Sequence, residues 1–408
     1  MADTYDVIIV GGGIGGGSLA TVLARAGKSV LVLEKTTVHR DRVCGEWIAP
    51  WGVVELKRLG LYDDIIRAGG HHVARHISFG DDVTPEEAIA ATRRLDTLVP
   101  DIPGPLCFGH PASCDLWNET ATAAGATLLR DVTVSSVTLG KSPSVTYTRG
   151  GVETTAHAKI VVGADGRGSF VRKAAGIELH RDPTHHLFSG MLVEDAHNWP
   201  DDLQVIGTEG DVNYFAFPQG NGRIRLYLGV STDNSHLVAG EGAQQRFLDS
   251  FKLNTCPGSE HLASARPAGP CNAYPTEDTW TDEPFVEGCV LIGDAAGHND
   301  PIIGQGLSIT YRDVRIVSEI MLAGDDWSPA AFAPYAEERA ERMRRLRFVA
   351  ALASMVDSEF GPEAEERRRR AHANRAKDPT LAAFSVMVGP ENMPPFAFEP
   401  EIIEKTFA

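Results

Sequence analysis

"YDVIIVGGGIGGGSLATVLARAGKSVLVLE", Tyr5 to Glu34, decides the fold. Tyr5 to Val10 is a short apolar run rich in β-branched residues, the composition of a strand. Glycines follow, and Ser18 to Gly27 then carries a helix pattern closed by glycine. Lys28 to Glu34 is a second β-rich run, and it ends in an acid. Strand, glycine turn, helix and strand fit the roughly 30 residues that a βαβ unit needs. Gly11, Gly13 and Gly16 satisfy G-x-G-x-x-G. In that pattern the first glycine permits the tight turn, the second lets a pyrophosphate approach the backbone, and the third lets helix and strand pack closely.

The helix start then offers free N–H groups and a positive dipole end to a phosphate. Glu34 stands 18 residues after Gly16, placed to accept hydrogen bonds from both ribose hydroxyls of an adenosine. Dinucleotide binding is the expected function of this stretch, in preference to a ligand-free glycine turn. A motif starting at residue 11 anchors the nucleotide at the base of the whole fold, which is more typical of FAD than of NAD.

Composition sets the outer limits. The chain has 408 residues, 43% of them hydrophobic, enough for two or three structural units around large cores. Its 38 basic and 55 acidic residues leave a net charge of −17, which repels nucleic acid backbones and anionic membranes. No run approaches the ~18 apolar residues of a membrane span. "MADTYDVIIVGGG" lacks the basic start of a signal peptide. The six cysteines are scattered without a CxxC pair, as expected of reduced thiols in a cytoplasmic protein. The histidines at 71, 72 and 76 form HHxxxH; we read them as surface or interdomain residues, not metal ligands, and expect no metal.

Two later stretches extend the pattern. "AKIVVGADGRGSFVRKAAGI", from Ala158, is a strand ending in Asp165-Gly166 with a helix beginning near Ser169. "VLIGDAAGHNDPIIGQGLS", from Val290, is a strand ending in Gly293-Asp294, then a glycine-rich loop. With G-x-G-x-x-G first, DG second and GD third, the chain resembles the FAD-dependent monooxygenase superfamily of the p-hydroxybenzoate hydroxylase type, over about residues 5 to 345. That resemblance implies an α/β fold: a Rossmann-like (GR2-type) FAD-binding domain with an inserted β-sheet substrate domain and a helical C-terminal region. The expected boundaries are 1–75, 101–180 and 281–345 for the FAD-binding domain, 76–100 and 181–280 for the substrate domain, and 346–408 for the C-terminal segment.

The loop's "GDAAGxxDPxxGxG" form is similar to the branch holding geranylgeranyl reductases and flavin halogenases, since Gly297 stands where many aromatic hydroxylases have histidine. "RVCGEW", from Arg42, and "YFAFPQGNGRIRLYLGV", from Tyr214, are similar to segments of the reductases, with Phe215 where tryptophan is usual. The halogenase W-x-W-x-I-P motif is missing, and residues 181–280 are rather polar for a prenyl-lipid pocket. The resemblance implies FAD contacts from Gly11, Gly13, Ile14, Gly16, Glu34, Lys35, Arg42, Cys44, Gly45, Val132, Asp165, Gly293, Asp294, Gly304, Gln305, Gly306 and Leu307. Asp294 is expected on the ribityl or ribose hydroxyls. Asp165 is read equally as a cofactor contact or as a helix cap. An arginine usual in the family at a later helix start is replaced by His110, so either His110 or Arg42 takes its contact.

Trp47, Phe215 and Phe217 are the expected pocket walls. His298 is the candidate proton-handling residue, and Pro301 is expected to shape the loop with its carbonyl near the flavin. The implied reaction is monooxygenation of a small aromatic or polycyclic metabolite, of the kind met in secondary metabolism, through a flavin C4a-hydroperoxide. NAD(P)H and O2 are the co-substrates. "GNG" at 220–222 reads as a hairpin turn, so NAD(P)H has no second glycine motif to bind. It either docks transiently or is replaced by a separate flavin reductase. Two other readings share the FAD site: an O2-independent flavin reductase or dehydrogenase resembling geranylgeranyl reductases, and a non-catalytic FAD-binding sensor. The basic run "PEAEERRRRAHANRAK" is expected to be a solvated helix with local ion pairs, and the tail an irregular cap.

Overall fold

The computed structural model describes residues 4–43, 45–381 and 383–408. Its first sheet is built on Thr4–Val10, which pairs in parallel with Val30–Leu33 on one side and Val152–Gly163 on the other. Thr127–Leu129 extends one side and Cys289–Leu291 the other, again in parallel. Alternation along the first strand faces two layers. Val7 and Ile9 pack with Leu19 and Leu23 of the helix Ile14–Arg25, and with Val314, Val317 and Phe332 of the later helices. Ile8 and Val10 face the opposite layer with Val145, Val161 and Val171. Burial on both faces explains the unbroken apolar run.

The register determines where function can sit. Val10 lies opposite Leu33 and Gly163, and Gly163 lies opposite Leu291. The G-x-G-x-x-G turn, Glu34, the Asp165 turn and the Gly293-Asp294 turn therefore leave the sheet along one edge. They leave it at its carboxyl ends, on both sides of the point where strand order reverses, which is where open parallel sheets bind ligands.

The second sheet is mostly antiparallel. Its order is Arg266-Pro267, Leu187–Glu194, Arg223–Val230, Val212–Gly220, Leu203–Glu209, Arg75–Gly80, Arg93-Arg94, with Asn272–Pro275 pairing alongside Leu187–Glu194. Val212–Gly220 and Arg223–Val230 are joined through Asn221 and Gly222, both at positive φ, the hairpin read from "GNG". One face carries Met191, Tyr214, Leu226 and Leu228 against Phe247 and Phe251. The other carries Phe188, Phe215 and Tyr227 against Val43, Ile302, Ala350 and Ala353. That second face looks onto the loop after Asp294.

The helix Pro329–Asp357 runs unbroken across residue 346, where the sequence reading divides the chain. Its helical pattern carries no cap there, so no element ends at that boundary. In the helix Pro362–Lys377, Arg367 pairs with Glu359 and Arg369 with Glu366. Arg368 is instead buried against the carbonyls of Val356 and Glu359. The tail packs back: Met393, Ala397 and Phe398 cover Trp51, Ile309 and Leu346.

Candidate functional site: a dinucleotide cradle beneath an aromatic face

The first turn has the geometry a pyrophosphate needs. Gly11 has φ +104°, and a Cβ there would fall 2.4 Å from the Ala164 carbonyl oxygen. A Cβ on Gly16 would fall 1.9 Å from the Gly11 carbonyl oxygen, so this glycine sets how closely helix meets strand. A Cβ on Gly13 would meet nothing within 4 Å. Gly13 is thus free of protein neighbours on the side where a phosphate would approach. The helix Ile14–Arg25 begins directly after it.

Glu34 is held ready. One carboxylate oxygen accepts the Gly12 N–H at 2.6 Å, and the other accepts the Thr36 N–H and hydroxyl at 2.7 and 2.6 Å. Burial raises its pKa, but these hydrogen bonds outweigh burial and hold it below the usual carboxylate range. Asn118 ties the same turn, donating to the carbonyls of Gly12 and Cys114. Val132 is buried, and its N–H reaches the Glu34 carbonyl. Lys35 and Arg42 are exposed at the rim. Cys44 lies outside the described residues. A Cβ on Gly45 would touch His110, Leu307 and Ile14, so Gly45 sits among the starts of three helices.

Asp165 serves the protein. Its carboxylate accepts from the Ser169 hydroxyl and from the N–H groups of Phe170 and Val171, capping the helix Phe170–Ala174. Of the two roles read for it, this geometry realises the cap. His110 opens the helix His110–Ala123. Burial, reinforced by Arg42, pushes its pKa down to about 4. It stays neutral at pH 7 and supplies no guanidinium-like charge.

Gly293 (φ +57°) and Asp294 lie in a tight turn, and Asp294 is half-buried beside Arg167. The loop continues through Asp300, whose carboxylate caps the turn Pro301–Ile303 by accepting the Ile302 N–H at 2.9 Å. The Pro301 carbonyl accepts the Gly304 N–H at 2.9 Å. It closes the turn. Gly304 (φ +66°) leaves room for Trp47, whose ring lies 3.0 Å from where its Cβ would be. Gln305 accepts from the Trp51 indole at 2.7 Å. Gly306 and Leu307 then start an 18-residue helix whose free N–H groups face the loop.

His298 is held by the neighbouring strand. Its backbone N–H donates to the Thr279 hydroxyl at 2.9 Å, and its Nδ1 shares a hydrogen bond with the same hydroxyl at 2.8 Å. Nε2 is buried without a partner among the described residues. Burial, with help from Arg167, pushes its pKa down to about 4. The residue rests neutral at pH 7 and ties the loop to the strand Thr279–Trp280. The histidines at 71, 72 and 76 turn to separate partners, Asp201, Tyr62 and Ser78.

What sequence reasoning missed is the support under the loop. Asp313, fully buried, accepts the Gly293 N–H at 2.9 Å and pairs with Arg339 and Arg342 at 3.2 and 2.7 Å. Arg339 also donates to the Ala296 and Gly297 carbonyls, both at 2.9 Å. The Tyr335 hydroxyl reaches the Leu291 carbonyl. Nothing in the local pattern of these arginines separates a buried one from its exposed neighbours.

Above the loop, the three expected wall residues do meet. Trp47 and Phe217 have ring centroids 5.9 Å apart, Phe217 and Phe215 6.1 Å, and Phe215 and Phe188 5.2 Å. Trp47 also donates to Gln204 of the second sheet at 2.9 Å. Ile302 packs into this cluster from below, and Ile303 and Phe217 from its margin.

A glycine cradle, an ionised acid at the second strand's end and a GD turn at the same sheet edge define a dinucleotide-binding flavoprotein fold. The chain belongs to the FAD binding domain family, which matches residues 4–347. It is 28% identical to the menaquinone reductase of Mycolicibacterium smegmatis, over 81% of this chain and 80% of that protein. It is 27% identical to the ubiquinone hydroxylase UbiL of Rhodospirillum rubrum, over 95% and 91%. Among solved structures, p-nitrophenol 4-monooxygenase PnpA from Pseudomonas putida matches over 100% of this chain and 99% of that one, at 20% identity and a TM-score of 0.79. The residues present fit FAD: an open face at Gly13, a carboxylate at Glu34, a half-exposed Asp294 and a helix start at Gly306. When bound, FAD supplies the redox chemistry. No helix among the described residues is long and apolar enough to cross a membrane.

Proposed function

We propose that this protein is a cytoplasmic FAD-dependent monooxygenase. It takes a hydride from NAD(P)H and places one oxygen atom of O2 on a small aromatic or polycyclic metabolite, releasing the other as water. The observation that carries this reading is the aromatic face of Phe188, Phe215, Phe217 and Trp47 closed over the loop that follows Asp294. Oxygen transfer needs a site where water is excluded and a flat apolar substrate is held against the flavin. The protein's own part is to bind, orient and keep dry; the hydroxylase among its relatives supports the reading.

A second reading, flavin-dependent reduction without O2, is favoured by relatives named for that activity, the menaquinone reductase and the digeranylgeranylglycerophospholipid reductase of Methanococcoides burtonii. Oxygen uptake separates the two. Purified protein loaded with FAD is expected to consume O2 slowly with NADPH or NADH, and faster with a substrate. Flavin reduction that drives substrate turnover with no oxygen consumed would establish the reductase. A flavin reduced by neither nicotinamide would point to a separate flavin reductase. Asp294→Ala is expected to purify with much less flavin, read from its visible absorbance; full occupancy would remove Asp294 from the FAD site.

A further inference from the structure

Arg225 stands on the face of the second sheet that looks onto the flavin loop. It alternates with Leu226, which faces the opposite core, and shares its face with Tyr227 and with Phe217 directly across the strand pair. It is 2% exposed. Its NH2 group meets two carboxylates that rise from the segment after the second strand, Asp41 at 2.7 Å and Glu46 at 2.8 Å. Glu46 also accepts the Tyr227 hydroxyl at 2.5 Å. Its Nε and NH1 groups, however, have no acceptor among the described residues. On the neighbouring strand, the buried Nε2 of Gln219 has none either.

Buried donors of this kind are rarely left unmatched, and a guanidinium least of all. Their place, at the edge of an aromatic face, calls for an acceptor on a bound ring system. The charge count decides which acceptor. One guanidinium already faces two carboxylates, so no positive charge is left over for a third anion. A neutral oxygen can accept from Nε or NH1 without adding to the negative side. A hydrocarbon cannot satisfy either donor.

We propose that Arg225 anchors a neutral carbonyl oxygen of the substrate, so that the ligand is a ring-bearing ketone, quinone or amide and not an aromatic carboxylate or a plain hydrocarbon. This rests on the substrate site proposed above and names its chemistry.

The test uses oxidised, FAD-loaded protein without nicotinamide and three probes of one skeleton: acetylnaphthalene, naphthoate and ethylnaphthalene. Binding is followed by quenching of flavin and tryptophan fluorescence. Acetylnaphthalene is expected to bind at least tenfold tighter than either of the others, and Arg225→Met to abolish that gap. Naphthoate binding tighter than the ketone, equal or undetectable binding of all three, or a gap that survives Arg225→Met would each overturn the proposal. Arg225→Met strands two buried carboxylates and is prone to misfold. Glu46→Gln avoids this, because the Tyr227 hydroxyl can accept from the new amide. It is expected to shift the naphthoate-to-ketone affinity ratio at least fivefold toward naphthoate; an unchanged ratio counts against the proposal. Failure of the monooxygenase reading shows elsewhere, as substrate turnover with no oxygen consumed, while probe selectivity persists.

Discussion

Gly11 and Gly13 belong to one motif but answer to different constraints. At Gly11 a side chain meets backbone at 2.4 Å, and φ is +104°. Nothing there can yield, so Gly11→Ala is expected to cost upward of ~3 kcal/mol of folding stability, read as a lowered denaturation midpoint. At Gly13 the same methyl group meets no protein atom, and the backbone is at φ −72°. Gly13→Ala is expected to fold with near wild-type stability as apoprotein and yet bind FAD at least about tenfold more weakly, a loss of ~1.4 kcal/mol. A Gly13→Ala protein that retains its flavin would show that the phosphate lies elsewhere. The motif's spacing was legible in the sequence. Which glycine serves the fold and which serves the ligand was not, because that depends on Ala164, more than 150 positions away.

At the scale of elements, the loop after Asp294 is shaped by two helices that pass beneath it. Gly306–Ala323 brings Asp313, and Pro329–Asp357 brings Arg339 and Arg342, so that three buried charges and the loop carbonyls satisfy one another. Breaking one member leaves a charge unpaired in the interior. Arg339→Gln is therefore expected to destabilise by roughly 3–5 kcal/mol and to release flavin. Arg344→Gln, on the exposed side of the same helix and paired with Glu341, should cost under about 1 kcal/mol. Urea denaturation of the two variants checks the contrast; equal effects would mean the buried network does not hold the loop. The expected helical C-terminal region covers part of the second helix. That expectation did not foretell the network, because Arg339 and Arg344 carry the same side chain and differ only in what packs on them.

Across the whole molecule, the seam between the sheets gathers buried ionisable groups. Burial pushes His298 and His186 down to about 4, and raises Asp278 and Asp300 to about 6. The signs oppose. Each histidine's folded pKa lies below its ordinary 6.5, so its contribution is present above that value and is lost as pH falls toward 4. Each aspartate's folded pKa lies above its ordinary 3.8, so its contribution is present below that value and is lost as pH rises through about 6. His298→Asn isolates one member. Its stability deficit against wild type is expected to shrink by up to about 3 kcal/mol between pH 7 and pH 4, in urea melts at each pH. A deficit independent of pH would mean that His298 accepts a proton while folded as readily as it does unfolded.

The sequence by itself determined the nucleotide half of this protein. Strand, glycine turn, helix, strand and terminal acid are local, and their chemistry is set by residues within one βαβ unit. The order of the DG and GD turns extended that to the sheet, since each follows an apolar strand whose end must lie at the same edge. Trp47, Phe215 and Phe217, expected together from the sequence, do meet, because each lies beside a recognisable turn or strand. Only the tertiary structure decided the ionic half. Asp41 and Arg225 are 184 positions apart, and Glu46 and Tyr227 are 181 apart. Whether a charge is buried, paired or left with free donors depends on what the fold sets against it, and short-range pattern carries no record of that. The same holds for the ties that pack His298 against Thr279 and Asp165 against a helix end.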